Sequence, residues 1–234
     1  MSAAGSVLAG LRVGGARLRG KTALLVLLAA LAATLVVAVL ERHAGVVGAA
    51  DRTLVGLFRL VVPISCFAFL QLAIGMQNLR EAAWPVARYG HHRGLVALGV
   101  VLAGAFAAAG SALLLAWLGL SVARLFGPAM PNAMPFISDL AATSFTAVAV
   151  SLGYGSWLGL GATFGRLGGG RTLVLLADFL VGSVGFFAVA LPRGAAYSLI
   201  GREAALELSA RQSSLVLVAV TLLCFWLTVL RCRR

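Results

Sequence analysis

The sequence predicts an all-α integral membrane protein with six transmembrane helices and both termini cytoplasmic, on three observations. Of 234 residues, 61% are hydrophobic and only 11% are charged, with a mean hydropathy of +1.02. A soluble domain carries roughly a quarter charged residues, so too few polar side chains exist here to clothe a water-facing surface. The apolar residues fall into six runs, each near the roughly 20 residues a helix needs to cross about 30 Å of hydrocarbon. Third, the cations are divided unequally between alternate loops. The formal charge of +12 sits on residues flanking the apolar runs, so topology and anionic headgroups account for it better than nucleic acid does.

In the amino-terminal arm, residues 6–20, Val7, Leu11 and Leu18 share a narrow arc of a helical wheel, with Arg12 and Arg19 away from it. That pattern suits a helix lying on the inner membrane surface. Gly10, Gly14 and Gly15 weaken such a helix by up to about 1 kcal/mol each relative to Ala, leaving a disordered basic leader as the alternative. The first span, 22–40, has no charge and follows a long arm, so it is expected to stay uncleaved, unlike a signal peptide. The second span, 53–76, is interrupted only by Arg59. The third, 94–120, belongs to a run too long for one straight crossing, and residues 118–123 are expected to turn along the outer interface beside Trp117. The remaining spans are 140–165, 172–192 and 213–230, with an outer segment over 193–212. The whole chain, 1–234, reads as a single transmembrane domain.

Orientation follows from Arg and Lys, which are held on the cytoplasmic side. The arm, the second-to-third loop, the fourth-to-fifth loop (Arg166, Arg171) and the tail hold twelve cations, whereas Arg42, Arg52, Arg124, Arg193, Arg202 and Arg211 make six in the other set. Small residues recur at helix-packing spacing: Ser151, Gly155 and Gly159; Gly161 and Gly165; Ala103, Ala107 and Ser111. Cys66, Cys224 and Cys232 have neither metal-ligand spacing nor an even count, and read as small apolar residues.

Residues 165–172 have the spacing of a phosphate-binding loop with Arg171 in place of Lys, but they join two spans instead of a strand and a helix, so a cytoplasmic turn is the better account. The loop 77–93 is the most informative segment. Leu79, Ala82, Ala83 and Val86 share one helical face, while Arg80, Glu81, Trp84 and Arg88 face the other way. Pro85 is expected to bend or restart the helix, and Gly90 to stop it. Trp, Tyr and Arg dominate interface hot spots, so this element suits docking to a partner, an interfacial anchor being the alternative. His91 and His92 have no Cys or acidic companion at ligand spacing, and no metal site is predicted. Two ionisable residues lie inside apolar runs, where charge points to function. Asp178 sits on the order of 9 Å above the inner boundary, and Arg59, near the outer end of its span, lies too far from it for a direct pair. No span carries a nucleophile with a base at helical spacing, and no catalytic residue is assigned.

Taken in order, the six spans, the basic arm and the cytoplasmic element after the second span resemble the type-2 ABC transporter permeases, the usual exporter membrane subunits, along nearly the whole chain. Residues 79–93, with Glu81, Pro85 and Arg88 ahead of a long third span, are similar to that family's coupling helix. The fourth span running into Gly165, Arg166 and a glycine turn, and Leu191 and Pro192 leading to a short outer helix over 202–211, are similar too. The chain departs from common forms in having few acidic residues around the coupling segment.

This resemblance implies a permease that is not itself an enzyme and binds no cofactor. ATP and Mg would be held by two copies of a partner ABC ATPase, contacted through Leu79, Arg80, Glu81, Trp84, Arg88 and Tyr89. It further implies pairing with a second copy or a related permease, a substrate path often lined by the second and fifth spans, and a bacterial inner-membrane location. The alternatives are an ion- or proton-coupled secondary transporter centred on Asp178 and Arg59, which predicts paired broken helices or a repeat, and a membrane scaffold without transport.

Overall fold

A computed structural model describes residues 2–43, 48–125, 135–182, 186–201 and 208–233. The chain begins with α1 (Ala3–Leu18) and α2 (Lys21–His43). Next, α3 (Ala49–Gly56) passes through a π-helical turn, Leu57–Val61, into α4 (Val62–Ile74). A short α5 (Leu79–Ala87) precedes α6 (Arg93–Leu125) and α7 (Phe136–Gly161). Then come α8 (Gly170–Val181), a 3-10 turn over Phe186–Val189, α9 (Pro192–Leu199) and α10 (Ala210–Arg233). No strand occurs among the described residues. Within them, five helical runs are long and apolar enough to cross a membrane: α2, the run that contains α3 and α4, α6, α7 and α10. The chain is a multi-pass membrane protein.

The π-helical turn has a local cause. Pro63 has no N–H to give the carbonyl of Arg59 and its ring crowds that oxygen. The helix widens instead, and Val62 N–H reaches back to the carbonyl of Leu57.

At the centre runs α6, whose Val96, Ala97, Val100, Ala108, Ala112 and Leu115 are fully buried. Its 33 residues extend about 50 Å, well beyond the hydrocarbon thickness. The expected turn over 118–123 is therefore absent, because Leu120 and Ala123 are buried and Gly119 faces the methyls of Thr53 and Thr34. An Arg124–Asp139 ion pair of 2.6 Å ties the far ends of α6 and α7 together. At the opposite, basal end, Ser6 accepts from His92 N–H and the end of α10 packs on Gly94. The arm and the tail thus share one end of the bundle.

The arm is helical, as its pattern predicts, but its partner is protein. A Cβ on Gly10 would lie 2.1 Å from the carbonyl of Val96, and one on Gly99 would lie 2.2 Å from that of Val7. The glycines that weaken α1 as an isolated helix are what let it lie backbone to backbone on α6. Gly155 against Ala105 and Gly159 against Val101 do the same for α7 on α6, so packing within the chain accounts for that small-residue series.

The fifth span differs most from expectation. In place of a continuous helix over 172–192, α8 stops after 12 residues, about 18 Å and too short for a crossing. The start of α9 returns to it, with Gly194 so close that a Cβ would sit 2.9 Å from the carbonyl of Gly182. Hydropathy registers only that these residues are apolar; it carries no signal for a chain that doubles back inside protein. Of the outer segment expected over 193–212, α9 occupies the first part, and residues 202–207 lie outside the described residues.

Candidate functional site

Two places gather the residues singled out from the sequence. One is the break between α8 and α9. Asp178 lies seven residues, about 10 Å, along α8 from Arg171, and its exposure is 0%. Tyr154 of α7 donates its hydroxyl to Asp178 Oδ2 at 2.6 Å, and the backbone N–H of Arg193 donates to Oδ1 at 3.3 Å. That N–H belongs to the first turn of α9, where no intrahelical acceptor exists and the helix dipole favours an anion.

The exchange is reciprocal. Arg193 Nη1 donates to the carbonyl of Phe179 at 3.0 Å, one of the last carbonyls of α8. Its Nε donates to the hydroxyl of Tyr197 at 3.4 Å, and the guanidinium lies 5.1 Å from the ring centre of Phe179 and 5.9 Å from that of Tyr197. Asp178 of α8 thus closes the start of α9, and Arg193 of α9 closes the end of α8. Trp157 Nε1 adds a bond to the carbonyl of Ala190 at 3.1 Å. An interrupted helix at membrane depth persists only where its freed backbone groups are satisfied within protein, and these side chains supply that.

Arg193, assigned from sequence to an outer loop, is buried here, and that expectation is corrected. The proline before it marks a helix start, but nothing local announces that its partner stands fifteen residues upstream. Arg59 takes no part in the cluster; it is exposed on the π-helical turn, although that turn itself packs against α9.

The second place is α5, at the basal end. Leu79, Ala82 and Ala83 are buried, whereas Glu81, Trp84, Arg88 and Tyr89 are exposed, Trp84 at 55% and Tyr89 at 68%. The helix begins at Asn78, whose side chain accepts from Arg80 N–H and donates to the carbonyls of Thr163 and Gly165. Leu79 N–H donates to the carbonyl of Ala162, so α5 is fastened to the turn that follows α7. Pro85 does not restart the helix. It falls near the end, where only the carbonyl of Glu81 loses a partner, and α5 runs through it to Ala87. Gly90, with φ of 87°, stops the segment as expected. Arg93 stacks 5.2 Å from the ring centre of Trp84 and holds the carbonyl of Arg80, which fixes the angle between α5 and α6.

The glycine turn after α7 spends its amides internally: Gly168, Gly170, Arg171 and Thr172 donate to the carbonyls of Gly165, Phe164, Gly168 and Gly169. A phosphate cradle is not formed there. Arg171 instead donates to the carbonyls of Gly75, Gln77 and Leu167, and Arg17 donates to those of Ala73 and Ile74. Arg17, read from the sequence as an arm cation, thus caps the end of α4, and Arg171, read as a loop cation, holds the residues that follow it. The three cysteines are free and buried, and no group of three His, Cys, Asp or Glu able to hold a metal occurs among the described residues. No family model, curated protein or solved structure matches the chain.

Proposed function

We propose that this chain is the membrane-spanning permease subunit of an ATP-driven ABC exporter, with its basal end cytoplasmic and its ATP hydrolysed by a separate subunit docked on α5. The observation that supports this most is the two-faced character of α5. Its apolar side is locked into the bundle, and its outer side presents an acid, an arginine, a Trp and a Tyr, the residue types that anchor interfaces. Large exposed aromatic side chains on a short, rigidly mounted helix fit a partner's groove. Two ATPase copies and a second permease complete the assembly in this reading, in a bacterial inner membrane. Of the six positions expected to couple, the exposed face carries Glu81, Trp84, Arg88 and Tyr89; Leu79 is buried and serves the mount. The test replaces Glu81, Trp84 and Arg88 with Ala together. ATP-driven transport in vesicles is expected to be lost while membrane insertion persists, and full transport by the triple variant defeats the proposal.

A second reading, a secondary transporter, draws on one observation. The second span and the fifth apolar run both depart from a regular α-helix, at the π-helical turn and at the α8–α9 break, and that turn packs against α9. Interrupted helices in corresponding halves are the mark of ion-coupled carriers. Transport that follows a proton gradient and ignores ATP selects this reading over the first.

A further inference from the structure

At the basal end, α5 and the end of α10 flank a half-open cavity of about 670 Å³ lined by Arg80, Leu230, Arg231 and Arg233. Its three cations have no carboxylate partner among the described residues, where the one ion pair, Arg124–Asp139, lies at the far end of the bundle. Arg80 Nε is buried with no acceptor among the described residues, a costly state for a charged donor. Arg231 is held in place: its Nε donates to Thr163 Oγ1 at 3.0 Å and its guanidinium lies 3.8 Å from the ring centre of Phe164. Arg80 and Arg231 are half-buried and Arg233 is exposed at the rim, and a cluster of arginines with donors to spare matches the oxygens of a phosphate group.

The walls say what carries that phosphate. Leu230 lines the cavity, and directly along α10 from it stand Leu222, Leu223 and Trp226, exposed at 63%, 50% and 58%. A basic pocket opening onto an apolar, aromatic helix flank has the polarity sequence of a phospholipid: headgroup in the cavity, acyl chains along α10. A free anion would gain nothing from the apolar flank, and an acidic protein surface would leave it exposed.

We propose that this cavity binds the phosphate headgroup of an anionic phospholipid, seated on Arg80, Arg231 and Arg233. The site is independent of the ATPase assignment, since it needs only the basal end to lie at a membrane surface. Native mass spectrometry of the full chain, purified in detergent with added phosphatidylglycerol or phosphatidylcholine, tests it. The chain is expected to retain phosphatidylglycerol in preference to phosphatidylcholine, and millimolar inorganic phosphate is expected not to displace it. Arg80→Gln and Arg233→Gln, which make no other described side-chain bond, should each weaken retention about fivefold. Arg12→Gln, exposed on α1, should not. Equal retention of the two lipids, or equal weakening by Arg12→Gln, reduces the effect to a diffuse surface charge and overturns the proposal. Displacement by inorganic phosphate alone reassigns the cavity to a free anion. Unchanged lipid retention in Arg80→Gln and Arg233→Gln, combined with loss of a co-purifying protein, reassigns it to an acidic partner.

Discussion

Arg17, Arg171 and Arg193 each turn a guanidinium onto carbonyls at a helix end, Arg17 on the last two of α4, Arg171 on Gly75 just past them and Arg193 on Phe179 near the end of α8. The common physics is that helix ends leave carbonyls unpaired and carry partial negative charge, which lipid cannot solvate. Asp178 is the mirror image, a carboxylate on the first turn of α9. Asp178→Asn keeps an oxygen for Arg193 N–H and turns an amide to the hydroxyl of Tyr154, so it should fold with a loss of about 1 kcal/mol. Asp178→Leu strands two donors and should cost roughly 2–4 kcal/mol. Thermal unfolding in detergent ranks the two, and equal stability of the Leu variant and the parent contradicts the capping role. Transport by Asp178→Asn then separates structure from mechanism: lowered stability with unchanged turnover assigns the carboxylate to packing alone. Asp178 was legible in the sequence because a charge in an apolar run stands out. Arg193 was not, because it sits beside a proline at a run's edge, where a cation is ordinary.

Among elements, α1 shows how a propensity argument inverts. Gly10 and Gly99 look like helix-weakening residues until their backbones are found in contact. Gly99→Val should lift α1 from α6 and cost roughly 1–3 kcal/mol. Gly15→Ala, with nothing within 4 Å of its Cβ position, should stabilise by up to about 1 kcal/mol. Hydrogen exchange of the α1 amides distinguishes them; protection of α1 in Gly99→Val equal to that of the parent contradicts the glycine contact. The spacing of small residues announced close packing but not its partner, since neither lipid nor protein is encoded in a wheel. Similarly, the run 172–192 was legible as apolar, whereas its break depends on a contact between Asp178 and Arg193 that no window of sequence contains. The two faces of α5 were legible except at Arg80, because a nine-residue amphipathic helix reports its own orientation but not that the end of α10 covers the Arg80 Nε.

For the whole molecule, hydropathy named six apolar runs, five of which form helices long enough to cross a membrane, and the tertiary contacts show that the arm and the tail meet at one end. The same end carries Arg171, Arg17, the α5 face and the arginine-lined cavity, and the proposed function takes it as the cytoplasmic end by the positive-inside bias. A cysteine at Tyr89→Cys, preferable to one at Gly90 whose φ of 87° disfavours a side chain, should resist an impermeant thiol reagent in intact cells and react after lysis. Labelling in intact cells reverses the orientation.

The claim on which the functional account rests is that a nucleotide-hydrolysing subunit sits on α5, and a crosslink reports that contact directly. A photoreactive probe attached to Trp84→Cys in membranes is predicted to capture a chain that binds ATP, and capture should fade when Glu81 and Arg88 are also replaced by Ala. Crosslinks to lipid alone, in membranes whose ATP-driven transport is intact, contradict the account.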